Sequence, residues 1–382
     1  MRATLSVSAL RRVLAIATMA VERRSTIPIL EYVRLSVSGG RLTATGTNLD
    51  VWTSAEAPLA SSADGEICVS ARIAKLINAL PNFDTITLAV QDERLCIETP
   101  DGRASLIVLP AADFPEASET QPFEAFDWTA ADLRKALERI RFCTSSEETR
   151  YYLCGVYFRA SGRDLRLAAT DGHRLAEGTH VLQSGVKEFG AIVPAETVAK
   201  VCKARSSGAV KIEFLTKSGN RPDYVRFAYD DFAILSKLID GKYPDYARVI
   251  PTKSDATVDV DRASWLAALN RVLVTAAPSF LPTRIVEAGR GRFSLTTKSA
   301  DFGDLVVAVK GKKIAGAVPF DLHCNAGYLA SMLAQHHDAT VRLEYVNANS
   351  PLLMTSEGFR TVLMPVRETF SAVQLPDYAE AA

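Results

Sequence analysis

The chain is short of most of what marks a specialised protein. Among its 382 residues, 44 are Lys or Arg and 44 are Asp or Glu, so neither sign of charge is in excess. That excludes a surface that attracts nucleic acid everywhere; any such role rests on local charge. The six cysteines (Cys68, Cys96, Cys143, Cys154, Cys202, Cys324) include no CxxC pair and no zinc-ligand spacing. They read as buried free thiols, not as a disulfide framework or a metal centre. No apolar run reaches the roughly 18 residues of a membrane-spanning helix. Residues 14–21 are apolar but lack a cleavage site and continue an amphipathic pattern with Arg11 and Arg12. They are expected to form a helix, not a signal peptide, and the expected location is the cytoplasm. There is no P-loop, GxGxxG, HExxH or GxSxG sequence, and no cofactor is implied.

What is present is an ordinary globular composition, 48% hydrophobic, long enough for two or three domains. One stretch stands out, Ala169-Thr-Asp-Gly-His-Arg-Leu175. It follows the alternating run 164–168, which reads as a half-buried strand. Asp171-Gly172 is a turn signal, since glycine takes positive φ without steric cost. Two readings are open. Asp171 and His173 can belong to a hydrolase site with Cys154 as nucleophile, although no oxyanion site is visible. Alternatively, the turn presents a docking surface.

The order of elements recurs three times. In the first third a strand (3–7) precedes a helix (8–19). A hairpin (32–37 and 41–45, turning at Gly39-Gly40), a helix (70–80), a second hairpin (86–90 and 94–98) and a final strand (104–109) follow. The second third starts with Thr129 capping a helix (130–142), with Asp132 at the capping-box position. It continues with a hairpin at Ser161-Gly162, a helix (195–204) and strands at 210–214, 224–228 and 232–235. The last third has a helix capped by Asp261 and ending near Val274. Strands follow at 283–286 and 292–296, then a helix (325–335) and strands at 341–345, 352–354 and 361–364. Three similar α+β units, each with two helices and several strands, suit a curved or ring-like array. The expected boundaries are 1–123, 124–252 and 253–367, with an extension at 368–382.

Several motifs now add up to a resemblance. They are Arg24-Ser-Thr-Ile-Pro-Ile-Leu30, Leu42-Thr-Ala-Thr-Gly-Thr-Asn-Leu-Asp50, Leu109-Pro-Ala-Ala-Asp-Phe-Pro115, Arg150-Tyr-Tyr-Leu-Cys-Gly155, the 169–175 stretch, the run 236–246 and Met364-Pro-Val-Arg367. In this order and spacing the chain resembles the bacterial DNA polymerase III beta subunits, the sliding clamps, over almost its whole length. The resemblance implies an α+β clamp fold of three domains and a head-to-tail homodimer that closes a six-domain ring around duplex DNA. It implies a non-catalytic processivity factor in DNA replication. The implied partners are double-stranded DNA without sequence preference, the DNA polymerase III alpha subunit, a clamp loader, and other polymerases and repair proteins that carry clamp-binding peptides. A clamp-like scaffold that has lost ring formation is the remaining alternative.

The resemblance also implies sites. Partner peptides with a Gln and a terminal Leu-Phe-like pair enter a cleft between the second and third domains. The matching positions are Leu153, Thr170, Gly172, His173, Arg174, Leu175, Pro244, Arg248, Val249, Asn325, Tyr328, Ser350, Val362, Met364, Pro365, Val366 and Arg367. Candidate DNA-facing residues are Arg24, Arg72, Lys75, Arg134, Arg139, Arg141, Tyr152, Lys200 and Lys203, with Arg12 and Lys135 beside them. The expected dimer interface sets Ala104 and Leu106 against Val274 and Thr275.

Some residues depart from the family pattern. Glu147 and the uncharged run before Glu196 predict weaker attraction to DNA. The small interface residues predict a weaker dimer. Val366 stands where a second Met is usual. The run from Gln374 to Tyr378 faintly resembles a partner peptide; a disordered tail is the expectation, and a tail that visits the pocket and competes with partners is the alternative.

Overall fold

The structure is a computed structural model, and it describes residues 1–22, 24–204, 207–274, 282–299, 303–316 and 318–367. The run 374–378 and Thr275 lie outside the described residues.

Side chains just ahead of each helix fix where most of the helices start. Ser6 accepts a hydrogen bond from the Ala9 amide at 3.2 Å, so the first strand ends early, at Arg2–Leu5, and α1 runs Val7–Ala17. Its buried residues Val7, Leu10, Val13, Leu14 and Ala17 form one stripe, as a 3.6-residue period requires. α2 is Ile73–Ala79. It starts later than the sequence suggests because Ser70 still pairs with Tyr32 as the last residue of strand Gly65–Ser70. α3, Ala130–Arg141, opens with the expected Thr129 cap, while the Asp132 side chain meets the Thr129 hydroxyl and not its amide, so the capping box is half made. The Asp132 amide donates to the Thr129 hydroxyl at 3.1 Å, and that hydroxyl donates to the Asp132 carboxylate at 2.7 Å. α4 is Ala195–Lys203. α5, Arg262–Val274, is capped by Asp261, which accepts from the Ser264 amide at 2.8 Å. α6, Ala326–Gln335, is capped by Asn325, which accepts from the amides of Gly327 at 2.8 Å and Tyr328 at 3.1 Å.

The chain folds into two compact units. One comprises Met1–Lys135, Arg159–Arg163 and Leu182–Asp240; the other comprises Ala136–Phe158, Asp164–Val181 and the chain from Gly241 onward. Their boundaries pass through the middle third, which the repeat reading treats as one domain.

In the first unit a 13-stranded sheet runs from strand Gln121–Thr129 to strand Ser61–Ala63. Within it, strand Phe232–Lys237 pairs antiparallel with Val51–Pro58, from Phe232↔Ala55 to Ser236↔Val51. The first and middle thirds therefore share a sheet, which element order alone does not reveal. α1 lies close over this sheet at Gly46, where a Cβ would stand 2.1 Å from the Ala17 carbonyl oxygen. That same oxygen accepts from the Thr53 hydroxyl at 3.0 Å.

A 10-stranded sheet, in the second unit apart from Arg159–Arg163 and the strand residues from Leu182 onward, runs from Gly155–Thr170 through Arg174–Pro194, Phe359–Leu363, Leu352–Ser356 and Thr340–Tyr345. It continues through Ala256–Asp261, Gly303–Ala315, Arg292–Ser299 and Pro282–Glu287 to Asp321–Asn325. Trp265 of α5 anchors the core beneath it. The indole is fully buried, packs on Phe293 at 5.6 Å between ring centres, and donates to the Lys310 carbonyl at 2.8 Å.

Candidate functional site

The 169–175 stretch forms a turn that its own side chains hold. Asp171 accepts from the amides of His173 and Arg174, both at 2.9 Å. The Thr170 hydroxyl donates to the Arg174 carbonyl at 2.8 Å and accepts from the Gly172 amide at 3.1 Å. Gly172 has φ +89, and a Cβ there would lie 2.8 Å from the Arg150 guanidinium. The positive φ is what favours glycine at that position, since the Arg150 side chain is flexible enough to move aside.

Beside the turn lies a cavity of about 200 Å³, lined by Leu153, Thr170, Gly172, Arg174, Leu175, Pro244, Asp245, Tyr246, Val249, Val362 and Met364. Leu175 and Val362 sit opposite each other on adjacent strands and floor the cavity. Met364, 36% exposed, stands at its edge. Most of the lining is aliphatic, with a few polar groups, which is how a site for an apolar side chain is built. Asp245 and Tyr246 were not singled out in the sequence; their position between the expected Pro244 and Val249 was the available signal.

The other expected pocket residues surround the cavity without lining it. Arg174 links the two groups. Its Nε donates to Asp171 at 2.9 Å, another guanidinium nitrogen donates to the Ser331 hydroxyl at 2.7 Å, and the guanidinium lies 4.5 Å from the Tyr328 ring centre. His173 stacks on the same tyrosine with ring centres 6.0 Å apart, and its carbonyl accepts from the Met364 amide at 2.9 Å. Asn325 is committed to capping α6. The Val366 amide donates to the His323 carbonyl at 2.8 Å, and the Ser350 amide to the Asn347 carbonyl at 3.0 Å. Arg248 pairs with Asp245 at 2.8 Å. Pro365 is half-buried and Arg367 is exposed.

The hydrolase reading finds no support in this geometry. The Cys154 thiol is pushed up from its ordinary value by burial and by the neighbouring carboxylates of Glu148 and Glu147, which suppresses the thiolate that a nucleophile needs. The thiol donates to the Glu147 carbonyl at 3.4 Å. His173 is stacked on Tyr328.

The expected DNA-facing residues divide into three groups. Arg72, Lys75 and Lys203 line one cavity of about 390 Å³ in the first unit, together with Glu22 and Glu31. Arg24 and Arg141 are exposed, and Arg134 and Tyr152 are half-buried. Others are already paired: Arg12 with Asp231 at 3.0 Å, and Lys200 with Glu196. Arg139 donates to the Gln335 carbonyl at 3.2 Å and lies 4.0 Å from the centre of the Phe359 ring. Burial there holds its guanidinium below the usual arginine range. Glu147 is neutralised locally by Arg150, with its carboxyl held low first by a hydrogen bond from Thr149 and then by Arg150.

At the expected dimer surface, Ala104 and Leu106 are half-buried on strand Gly102–Leu109. Ile107 between them and the strand's end is 65% exposed, and Val274 is 79% exposed. No helix of the described residues is long and apolar enough to cross a membrane. No cluster of metal-ligating side chains occurs among them.

Comparison with known proteins follows the same lines. Family models described as the DNA polymerase III beta subunit match this chain, the N-terminal domain over residues 1–118 and the central domain over residues 129–245. The beta sliding clamp of Caulobacter vibrioides is 32% identical over 378 residues, covering 96% of this chain and all of the relative. The crystal structure of the DNA polymerase sliding clamp from Caulobacter crescentus superposes with a TM-score of 0.88 at 31% identity, over 96% of this chain and 100% of that one. The Pseudomonas aeruginosa clamp, solved bound to griselimycin, gives a TM-score of 0.90 at 29% identity with the same coverage.

Proposed function

The chain belongs to the DNA polymerase III beta-subunit family, the beta sliding clamps, and from that premise we propose that the cavity beside the 169–175 turn is where its partners dock. The family's role is that of a DNA sliding clamp, a processivity factor for DNA polymerase III that is not itself an enzyme. On this chain the partner inserts a short peptide with an apolar end. The Leu175–Val362 floor and the Leu153, Val249 and Met364 walls take that end, and Arg174 orients the polar part. The partners are the DNA polymerase III alpha subunit, the clamp loader, and other polymerases and repair proteins that carry such peptides. The Pseudomonas aeruginosa relative, solved bound to griselimycin, supports a clamp surface able to hold a ligand.

The ring is read as a head-to-tail dimer of three-domain subunits, with domains at 1–123, 124–252 and 253–367. The two family models, ending at 118 and spanning 129–245, support the first boundary. DNA passes through the ring and meets Arg24, Arg72, Lys75, Arg141 and Lys203 as sequence-independent phosphate contacts.

The observation that carries the docking site is the apolar cavity with Leu175 and Val362 at its base. Binding of a labelled peptide with a Gln and a terminal Leu-Phe pair, followed by fluorescence anisotropy, tests it. Met364→Ala is expected to weaken binding by about tenfold, as loss of one apolar anchor does. Equal affinity for wild type and Met364→Ala would count against this cavity.

A further inference from the structure

Immediately next to the cavity lies a group that a simple apolar pocket does not need. Glu177 is 1% exposed, and a buried carboxylate is costly unless it is paired. Its place follows from register. Leu175↔Val362 is one cross-strand pair and Glu177↔Arg360 is the next pair on the same face, because alternate residues of a strand share a face. The ion pair therefore extends the row that floors the cavity. One carboxylate oxygen accepts from the Arg360 guanidinium. The other accepts from the Tyr246 hydroxyl at 2.8 Å.

Tyr246 belongs to the opposite wall. It lines the cavity with Pro244, Asp245 and Val249. That segment contains only a short 3-10 turn, Tyr246–Val249, and sits in no strand ladder. Its hold on the sheet comes through tyrosines. Tyr246 meets Tyr157 and Tyr243 edge-on, with ring centres 6.4 and 6.2 Å apart. Those two rings stack at 4.6 Å, and the Tyr243 hydroxyl accepts from the Thr170 amide at 3.0 Å. Edge contacts between rings tolerate sliding; a hydrogen bond to a buried carboxylate fixes one point of the wall.

We infer that Glu177 is a positioning residue for partner binding: through Tyr246 it fixes the 244–249 wall relative to the Leu175–Val362 floor. Arg360 supplies the countercharge that lets a carboxylate be buried there. The inference rests on the cavity being the peptide site.

The test uses the full chain, the labelled Gln/Leu-Phe peptide and four variants, with melting temperature read alongside affinity. Tyr246→Phe removes one oxygen and is expected to weaken the peptide by about tenfold. Glu177→Gln is expected to weaken it to a similar extent. In Glu177→Val/Arg360→Val the ion pair is replaced by apolar groups, a change that a fold usually tolerates. Adding Tyr246→Phe to that pair leaves no buried hydroxyl without an acceptor, so the melting temperature is expected to stay near wild type while affinity still drops, because the wall has lost its tether. The added change should cost no affinity beyond that of the pair. A purely structural role predicts the reverse, with stability and affinity moving together. Wild-type affinity in Glu177→Val/Arg360→Val overturns the inference alone. Failure of the wild-type chain to bind the peptide overturns the docking reading and this inference with it.

Discussion

Single residues of this chain carry consequences that the sequence pattern hides. His336, just beyond α6, is fully buried. Its ring nitrogens meet the hydroxyls of Ser356 at 2.6 Å and Thr361 at 3.0 Å. Burial first, and then the Arg139 charge, push its pKa down from 6.5 to about 4, with Asp338 opposing. The folded value is below the unfolded one, so the unfolded chain takes up the proton first. The neutral imidazole's contribution is whole above about pH 6.5 and is lost as pH falls towards 4. By linkage the loss is at most about 3 kcal/mol. Denaturant titrations at pH 7 and pH 4.5 should show wild type losing more stability than His336→Gln, which has no proton to take up. Identical losses in the two proteins would remove His336 from the acid response. In the sequence His336 is marked only by its place just beyond a helix that has no Lys or Arg. Its burial depends on strand Phe359–Leu363 passing beside it, a pairing that no local pattern encodes. Arg139 misled for the same reason: its helical position suggested an exposed face, but Phe359 and the end of α6 take it up.

At the scale of elements the chain was largely legible, and where it was not, the reason is tertiary. Caps at Ser6, Thr129, Asp261 and Asn325 act over three residues, so the helix starts they set can be read locally. Strand pairing joins distant residues, so the ladder that joins strands Phe232–Lys237 and Val51–Pro58 was not foreseeable. Edges follow the same logic. Strand Gly102–Leu109 pairs along one side with Arg94–Thr99, and on the other only through Val108 and Leu109. Strand Gly303–Ala315 pairs with Arg292–Ser299 over its first part and turns to Ala256–Asp261 only from Gly311 onward. Each therefore presents an open edge among the described residues. An uncovered edge beside an exposed Ile107 is an aggregation hazard unless a second copy covers it. Strand Gly102–Leu109 carries Ala104 and Leu106, which are expected to face Val274 and Thr275 of a second copy, and we propose that its open edge is covered there. Ile107→Asp should convert the dimer of 41.4 kDa subunits into monomer on dilution, followed by sedimentation. A variant that stays dimeric across the series would sink this assignment of the edge.

For the whole molecule, the balance of 44 basic and 44 acidic residues sets how DNA is held. A protein that grips duplex DNA by charge leaves many cations unpaired, yet here Arg12, Lys200 and Arg150 are each matched by a carboxylate within the chain. The cations around the first unit's cavity share it with Glu22 and Glu31. Even with all five of the cations proposed to meet phosphate in contact at once, the slope of log affinity against log salt should be no steeper than about −4.5 per subunit. A ring does not need more, because its hold is topological and strong phosphate contacts would oppose sliding. The two sources of retention separate cleanly by experiment. The loaded clamp on a nicked circular duplex should survive a rise from 50 to 500 mM salt, and one cut of that circle should release it at either salt concentration. Charge-based binding predicts the opposite pattern, with release by salt from both forms and indifference to the cut. Equal retention on circular and linear DNA would rule out encirclement as the basis of processivity for this chain.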